Sequence, residues 1–374
     1  MTEHLTIELQ QSTLAFPIHV GVGVLKSPLF LQLCQKTAHR WIIVTDRNTS
    51  PLFGNQLHDY LREHGLNVDL IAMFPGEENK SRATKEWIED QMLAKGFGRD
   101  SGVIALGGGI VTDVAGFVAS TYCRGIPLIQ VPTTLLAMVD ASIGGKTAVN
   151  VAAGKNMIGT VYQPKAIFID PLFLQELPLH ELQNGFVECI KHGAILNAPY
   201  FDFLEKKYED LLKRDPTLLQ KAILDSCRIK LCVIQEDEHE TGMRRLLNFG
   251  HTLGHALEIL TQHRIPHGQA VAIGMIGEAY LSQQMGHLSK HDFERLEHIL
   301  KCYQIPLQFP DPITPEAFQN TLKLDKKALK SAPRFVVLQE IGHCLPCEGH
   351  YCQTVEPTLL HQTLQWLCTY VKAR

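Results

Sequence analysis

The segment LLNFGHTLGHALE (246–258) places two imidazoles, His251 and His255, four residues apart among leucines and alanines. On a helix that spacing puts both rings on one face, where both can ligate a metal ion, or one can ligate while the other moves a proton. Two satisfied core histidines are the competing reading. A third imidazole, His267, precedes the small-residue run GQAVAIGM, and FVECIKHGAI (186–195) brings Glu188 and Lys191 one helical turn apart within an apolar segment. A buried carboxylate or ammonium is costly unless it is paired or metal-bound. One carboxylate with two imidazoles is a donor set for a catalytic divalent metal that keeps positions open for substrate. Zinc is the first expectation and iron(II) the second, with Co2+ or another divalent ion compatible. Spacing alone favours His251 and His255 as the ligand pair, as in HExxH without its Glu, and does not decide which histidine is instead an acid/base. Just upstream, ETGMRRLLN sets Glu240, Arg244 and Asn248 at four-residue intervals, which share a face if the helix starts that early.

Other stretches suit anions. DASIGGKTAVNVAAGKNMIG (140–159) carries Asp140, Lys146, Lys155 and Asn156 among glycines, without helical or strand periodicity, and reads as a polar loop. Backbone can approach phosphate oxygens closely there while each ammonium supplies a point charge. The strand VIAL runs into GGGIVTDVAGFVAS, a glycine turn opening a helix, which suits a pyrophosphate although it is not GxGxxG. PGEENKS (75–81), with Glu77 and Lys80, and VPTTLL (131–136), with Thr133 and Thr134, also follow or end strands and say little in isolation.

These groups need a frame. In the first half, apolar β-rich runs at 39–49, 68–74, 101–109, 126–134 and 165–170 alternate with helical stretches such as KSRATKEWIEDQMLAKG. That pattern predicts a parallel sheet covered on both faces. After about Pro171 the apolar residues recur at helical spacing until RFVVLQEI (334–341). We therefore expect an α/β nucleotide-binding domain over 1–171 and a mostly helical metal- and substrate-binding domain over 172–374. A chain of 374 residues is long enough for two domains, and 45% hydrophobic with 20% charged residues is ordinary for a soluble protein. The net charge of −4 offers no basic stripe for nucleic acid. The start MTEHLTIELQQST is no secretory signal, and the longest apolar run is broken by three glycines and Asp113, which argues against a membrane span. Ten scattered cysteines fit free thiols in a reducing cytoplasm. Cys344, Cys347 and Cys352 in GHCLPCEGHYC are a weak zinc signal, since no second CxxC accompanies them.

From PGEENKS through GGGIVTDVAGF, RGIPLIQVPTTLLAMVDASIGGKTAVN, GKNMIG, VECIKHG, LLNFGHTLGHALE and HGQAVAIGM to LDKK (324–327), the motifs in this order resemble the 3-dehydroquinate synthase family over roughly residues 75–330. The resemblance implies bound NAD, one zinc ion, an active site in the cleft between the two domains, and a homodimer. It implies conversion of 3-deoxy-D-arabino-heptulosonate 7-phosphate to 3-dehydroquinate and phosphate, with NAD recycled in each turnover. Carried over by motif, Glu188, His251 and His267 become the metal ligands and His255 the acid/base, which differs from the assignment by spacing. Lys230 and Arg244 match carboxylate-binding residues; Lys146, Asn156, Asn248 and one of Lys326 and Lys327 match phosphate contacts. Arg124 matches an arginine that reaches the phosphate from the partner subunit, and Asp140, Lys191 and Glu240 match polar residues of the cleft. Asp46, Glu77, Lys80, Gly108, Gly109, Asp113, Thr133, Thr134, Lys146 and Lys155 match NAD-binding positions. Thr112 departs from an expected glycine and Glu176 from a common threonine, and VNVAAGKN is unusual before its glycine. Alternatives are another sugar phosphate cyclase, a metal-dependent polyol dehydrogenase of the glycerol dehydrogenase type, and a catalytically inactive relative acting as a binding or structural subunit.

Overall fold

The computed structural model describes residues 15–237, 242–323, 333–347 and 351–372. Glu240, Lys326 and Lys327 lie outside the described residues. The chain begins with β1 (Ile18–Val20), α1 (Pro28–Thr37), β2 (Arg40–Asp46), α2 (Asn55–Glu63), β3 (Asn67–Met73), α3 (Arg82–Ala94), β4 (Ser101–Gly107), α4 (Gly109–Thr121) and β5 (Leu128–Pro132). A hairpin of β6 (Lys146–Val151) and β7 (Gly154–Val161) precedes the last strand of the main sheet, β8 (Ala166–Ile169). Helices then dominate: α5 (Leu179–Leu196), α6 (Ala198–Leu212), α7 (Pro216–Glu236), α8 (His251–Leu260), α9 (His267–Gln284), α10 (Lys290–Cys302) and α11 (Pro315–Lys323). A short antiparallel pair, β9 (Leu338–Glu340) and β10 (His343–Cys344), precedes α12 (Pro357–Lys372).

The main sheet has the order β1-β8-β5-β4-β2-β3 and all its pairings are parallel. Its strands read as continuous apolar runs because both faces are covered. Trp41 and Ile43 of β2 point into one core and Ile42 and Val44 into the other, all fully buried. At roughly 1.5–3 kcal/mol per buried large aliphatic side chain, these strands anchor the first half. The first of the two cores continues without a break into the buried faces of α5, α8 and α9.

From β2 the chain runs outward to β3 and returns to β4 on the other side of β2, so the strand order reverses between β2 and β4. In open parallel sheets the crevice at the carboxyl ends beside such a reversal is where ligands bind. Asp46 ends β2, Gly108 and Gly109 follow β4, Thr133 and Thr134 follow β5, and Glu77 lies beyond β3, so all open onto this edge.

Two local expectations are corrected. Residues 140–159 are not a loop throughout: β6 and β7 pair antiparallel, with Thr147 Oγ1 donating to the Thr160 carbonyl at 2.9 Å. The alternation was hidden because the pairing is irregular between Val149 and Val151, where Asn150 turns its side chain to Glu77 Oε1 at 2.7 Å. The stretch before His251 is a 3-10 helix, Met243–Asn248, so Arg244 and Asn248 do not share the face that four-residue spacing would give on an α-helix.

Candidate active site

Three helices bring the proposed donors together. Glu188 sits mid-α5, His251 is the first residue of α8 and His267 the first of α9. His251 Nε2 is 3.7 Å and His267 Nε2 is 3.9 Å from Glu188 Oε1. The three residues form a group whose ligand atoms lie within 4.8 Å of one another. His251 Nδ1 is 3.2 Å from the Phe249 carbonyl, which fixes the ring with Nε2 toward Glu188. Glu188 is fully buried, its Oε1 has no hydrogen-bond partner among the described residues, and its Oε2 forms an ion pair with Lys191. A buried carboxylate oxygen without a hydrogen bond, faced by two imidazoles, fits a divalent cation.

The spacing-based pair His251 and His255 is not the set that converges on Glu188. His255 joins a different group with Glu258 and His267. Its ring is edge-on to His251 with centroids 5.3 Å apart and 6.2 Å from that of His267, so it lies beside the donor set.

α8 and α9 approach closely enough for this because both are lined by small residues; α9 is apolar nearly all round and buried. A Cβ on Gly274 would lie 1.9 Å from the Gly250 carbonyl oxygen, immediately before His251.

Cations and carboxylates alternate beside the triad. Lys230 from α7 donates to the Asp140 backbone carbonyl at 2.5 Å and ion-pairs with the Asp140 carboxylate. Lys191 Nζ donates to the Leu247 carbonyl at 2.9 Å. Burial works against charge on Asp140, but Lys230 and Lys191 outweigh it and hold the carboxyl well below its ordinary range. Burial in turn lowers Lys230, against the pull of Asp140. Arg244 is buried, its backbone N–H donates to Asp237 Oδ2 at 3.0 Å, and its guanidinium crosses Gly144, whose φ of +101° and missing side chain make room. Lys146 is exposed at the start of β6, and Asn248 ends the 3-10 helix next to α8.

On the sheet side, Lys80 Nζ donates to Asp113 Oδ2 at 2.5 Å and Asn156 Oδ1 at 2.6 Å, tying α4 to the hairpin. Burial raises Asp113 to about 6 despite Lys80. Gly108 precedes α4, whose first turn carries no acidic residue, leaving that helix N-terminus open to an anion. Asp46 Oδ1 accepts from the N–H groups of Asn48 and Thr49, both at 2.8 Å, and so holds its own turn. Thr112 does not intrude on the crevice: it is buried and its Oγ1 donates to the Gly109 carbonyl at 2.9 Å. Glu176 is exposed after a 3-10 helix. Arg124 is exposed at φ +68° and makes no ion pair with any described residue of its own chain. Cys344 and Cys352 bond backbone carbonyls of Ile195 and Arg245, and among the described residues the groups able to hold a metal contain no cysteine.

Two residues near the site were missed. Glu258 is buried, with Lys155 Nζ 3.2 Å from Oε1 and His267 Nδ1 3.6 Å from Oε2. Burial disfavours its charge, yet His267, Lys155 and His255 bring it down to about 2. Burial works against charge on His267, but Glu258, Glu188 and Asp140 outweigh it and raise its pKa. His192 is fully buried, with Nδ1 2.7 Å from Ser226 Oγ and no hydrogen-bond partner for Nε2 among the described residues, and it groups with Asp140 and Glu188. Burial, and then Lys191, push its pKa well down. Both were legible as helical neighbours, Glu258 seven residues after His251 and His192 four after Glu188.

A nucleotide crevice on a parallel sheet, joined to a helical region that presents a metal donor set, is the architecture of the sugar phosphate cyclases. The structure of 2-epi-5-epi-valiolone synthase from Streptomyces hygroscopicus subsp. jinggangensis with NAD+ and Zn2+ bound matches with TM-score 0.87 and 28% identity, covering 97% of this chain and 99% of that one. A 2-deoxy-scyllo-inosose synthase complexed with carbaglucose-6-phosphate, NAD+ and Co2+ matches with TM-score 0.85 and 26% identity, over 93% of this chain and 96% of that one. Residues 70–184 match the 3-dehydroquinate synthase N-terminal family and residues 185–328 the 3-dehydroquinate synthase C-terminal family. The 3-dehydroquinate synthase of Nitrosomonas europaea is 40% identical over 96% of this chain and 97% of its own length; that of Desulforamulus reducens is 39% identical over 90% and 94%. The chain belongs to the 3-dehydroquinate synthase family. Glycerol dehydrogenase from Schizosaccharomyces pombe shares the fold alone, at 15% identity and TM-score 0.66.

Proposed function

We propose that this chain is a 3-dehydroquinate synthase, an NAD- and divalent-metal-dependent lyase that turns 3-deoxy-D-arabino-heptulosonate 7-phosphate into 3-dehydroquinate and phosphate, the second step of the shikimate pathway to aromatic amino acids. The observation that carries it is Glu188, buried with an oxygen that has no hydrogen-bond partner among the described residues, faced by His251 and His267 and beside the buried Lys191 and Lys230.

When bound, NAD removes and returns the C5 hydride, while the divalent metal lowers the pKa of the substrate hydroxyls. Glu188, His251 and His267 hold the metal. Zinc is our first choice, and the Zn2+ and Co2+ of the two cyclase structures support it. Asp46, Glu77, Lys80, Gly108, Gly109, Asp113, Thr133, Thr134, Lys146 and Lys155 hold the dinucleotide. His255 takes and returns the proton of the C5 hydroxyl. Lys230 and Arg244 orient the substrate carboxylate, and Asp140 and Lys191 keep that corner electrically balanced. Lys146, Asn156 and Asn248 gather the phosphate and stabilise it as it leaves after oxidation has acidified the neighbouring C6–H. Glu240 belongs to the same set by motif. After the C5 ketone is reduced back, ring opening and an intramolecular aldol closure complete the reaction.

Arg124, exposed and without an ion pair to any described residue of its own chain, is assigned to the phosphate site of a partner subunit in a homodimer. Ten free cysteines support a cytoplasmic setting. Among the described residues no helix is long and apolar enough to cross a membrane.

The test is phosphate release from 3-deoxy-D-arabino-heptulosonate 7-phosphate with catalytic NAD and Zn2+, followed with absorbance of NADH. Many phosphates released per NAD without NADH accumulation are expected. NADH formed one-for-one would instead mean a dehydrogenase, and no phosphate from metal-loaded protein would move the search to other phosphorylated sugars.

A further inference from the structure

We infer that Glu258 is the positioning residue that orients His267 for metal binding. This rests on the reading that Glu188, His251 and His267 hold the ion.

An imidazole ligates through one nitrogen and needs an acceptor for the N–H on the other, and that second partner fixes ring orientation and tautomer. His267 presents Nε2 to Glu188 and Nδ1 to Glu258 Oε2 at 3.6 Å. Among the described residues these two carboxylates are the ion-pair partners of the ring. Glu258 is itself held: it is buried, and its other oxygen takes Lys155 Nζ, from β7, at 3.2 Å. A carboxylate in that position is costly unless both oxygens are engaged. α8 therefore supplies three groups along one face: His251 to the ion, His255 beside it, and Glu258 behind the ligand that α9 contributes. The arrangement also links the hairpin bearing Lys155 to the metal ligand through one side chain.

The rival is that Glu258 is a ligand, in the group His255, Glu258 and His267. Two observations disfavour it. Lys155 occupies one oxygen of Glu258, and Glu188 Oε1 would be left buried without a hydrogen bond or a metal.

The experiment measures the dissociation constant for Co2+ by chelator competition, and the visible spectrum of the Co2+-loaded protein, for wild type, E258Q, E258A, E188Q and H251A. E258A is expected to weaken Co2+ binding by about 10- to 100-fold and to alter the spectrum, with E258Q showing a smaller change. E188Q and H251A should lose high-affinity binding. E258Q keeps the shape of the side chain and serves if E258A does not fold. Wild-type affinity and spectrum in the Glu258 variants, with binding lost in E188Q and H251A, would overturn the inference and leave the metal assignment standing. Full binding in E188Q with none in E258Q would make Glu258 a ligand and overturn both.

Discussion

Gly274→Ala probes the closeness of α8 and α9 on which the proposed metal site depends. The added methyl would lie 1.9 Å from the Gly250 carbonyl oxygen and 2.9 Å from the Gly250 carbonyl carbon and the Gly254 nitrogen. All three are backbone atoms and cannot rotate away. Relieving the contact to a barely tolerable 3.0 Å moves the helices apart by ~1.1 Å, at the residue before His251. Overpacking of this kind costs about 1–3 kcal/mol, against a helix-propensity gain of about 1 kcal/mol for Gly to Ala. Displacement of a reacting or ligating group by about 1 Å can cost 10²-fold in rate. The expected outcome is a net loss of up to about 2 kcal/mol in urea unfolding and a fall of roughly 100-fold in kcat/KM, with weaker metal binding. Gly277→Ala is the control: its methyl meets Leu253 Cδ1 at 2.5 Å and Leu367 Cδ2 at 3.0 Å, side-chain ends that can repack, so stability should change by less than about 1 kcal/mol. If Gly274→Ala were as stable as wild type and bound metal as tightly, the close approach could not be what positions His251.

The buried pair of Glu188 and Lys191 makes a second test. Glu188→Gln leaves the Lys191 ammonium buried without its carboxylate and should destabilise the metal-free protein by about 3–5 kcal/mol; adding Lys191→Met should recover most of that without restoring metal binding, and an undiminished stability in the single variant would refute the pairing. The third concerns pH. Because the carboxyl of Asp113 is raised from 3.8 to about 6, its contribution to stability is complete below about pH 4 and is lost as pH rises through 6, by at most about 3 kcal/mol. Asp113→Asn should remove that part of the slope between pH 4 and pH 7 in urea unfolding of the NAD-free protein, and parallel curves for the two proteins would contradict it.

Much of the site was legible because its chemistry is local. The helical spacing of Glu188 and Lys191 placed both on one face, and His251 and His255, four apart on a short apolar helix, were legible as candidates for ligand or acid/base with satisfied core histidines as the competing reading. The alternation of apolar strands and helices over the first half sufficed for a parallel sheet, since strands buried on both faces can carry little else. The hairpin at 146–161 was not legible, because its Lys, Asn and Gly content weakens the strand signal and Asn150 breaks its register. The helical face through Arg244 and Asn248 failed because a 3-10 turn has a different period from an α-helix.

By itself the sequence determined which residue types are available, which of them share a helix face, and where the glycines permit close approach. Its spacing favoured His255 over His267 as the partner of His251, and only the family resemblance reversed that order, since helical periodicity carries no information on where a separate helix crosses. Only the crossing of α8 and α9 over α5 decided that, bringing His267 Nε2 to 3.9 Å from Glu188 across nearly eighty residues of chain. The strand reversal between β2 and β4, which gathers the turns after four separate strands at one edge, is likewise a property of the assembled sheet. Distances between segments remote in the chain are set by packing of the cores beneath them, and no local periodicity encodes that packing.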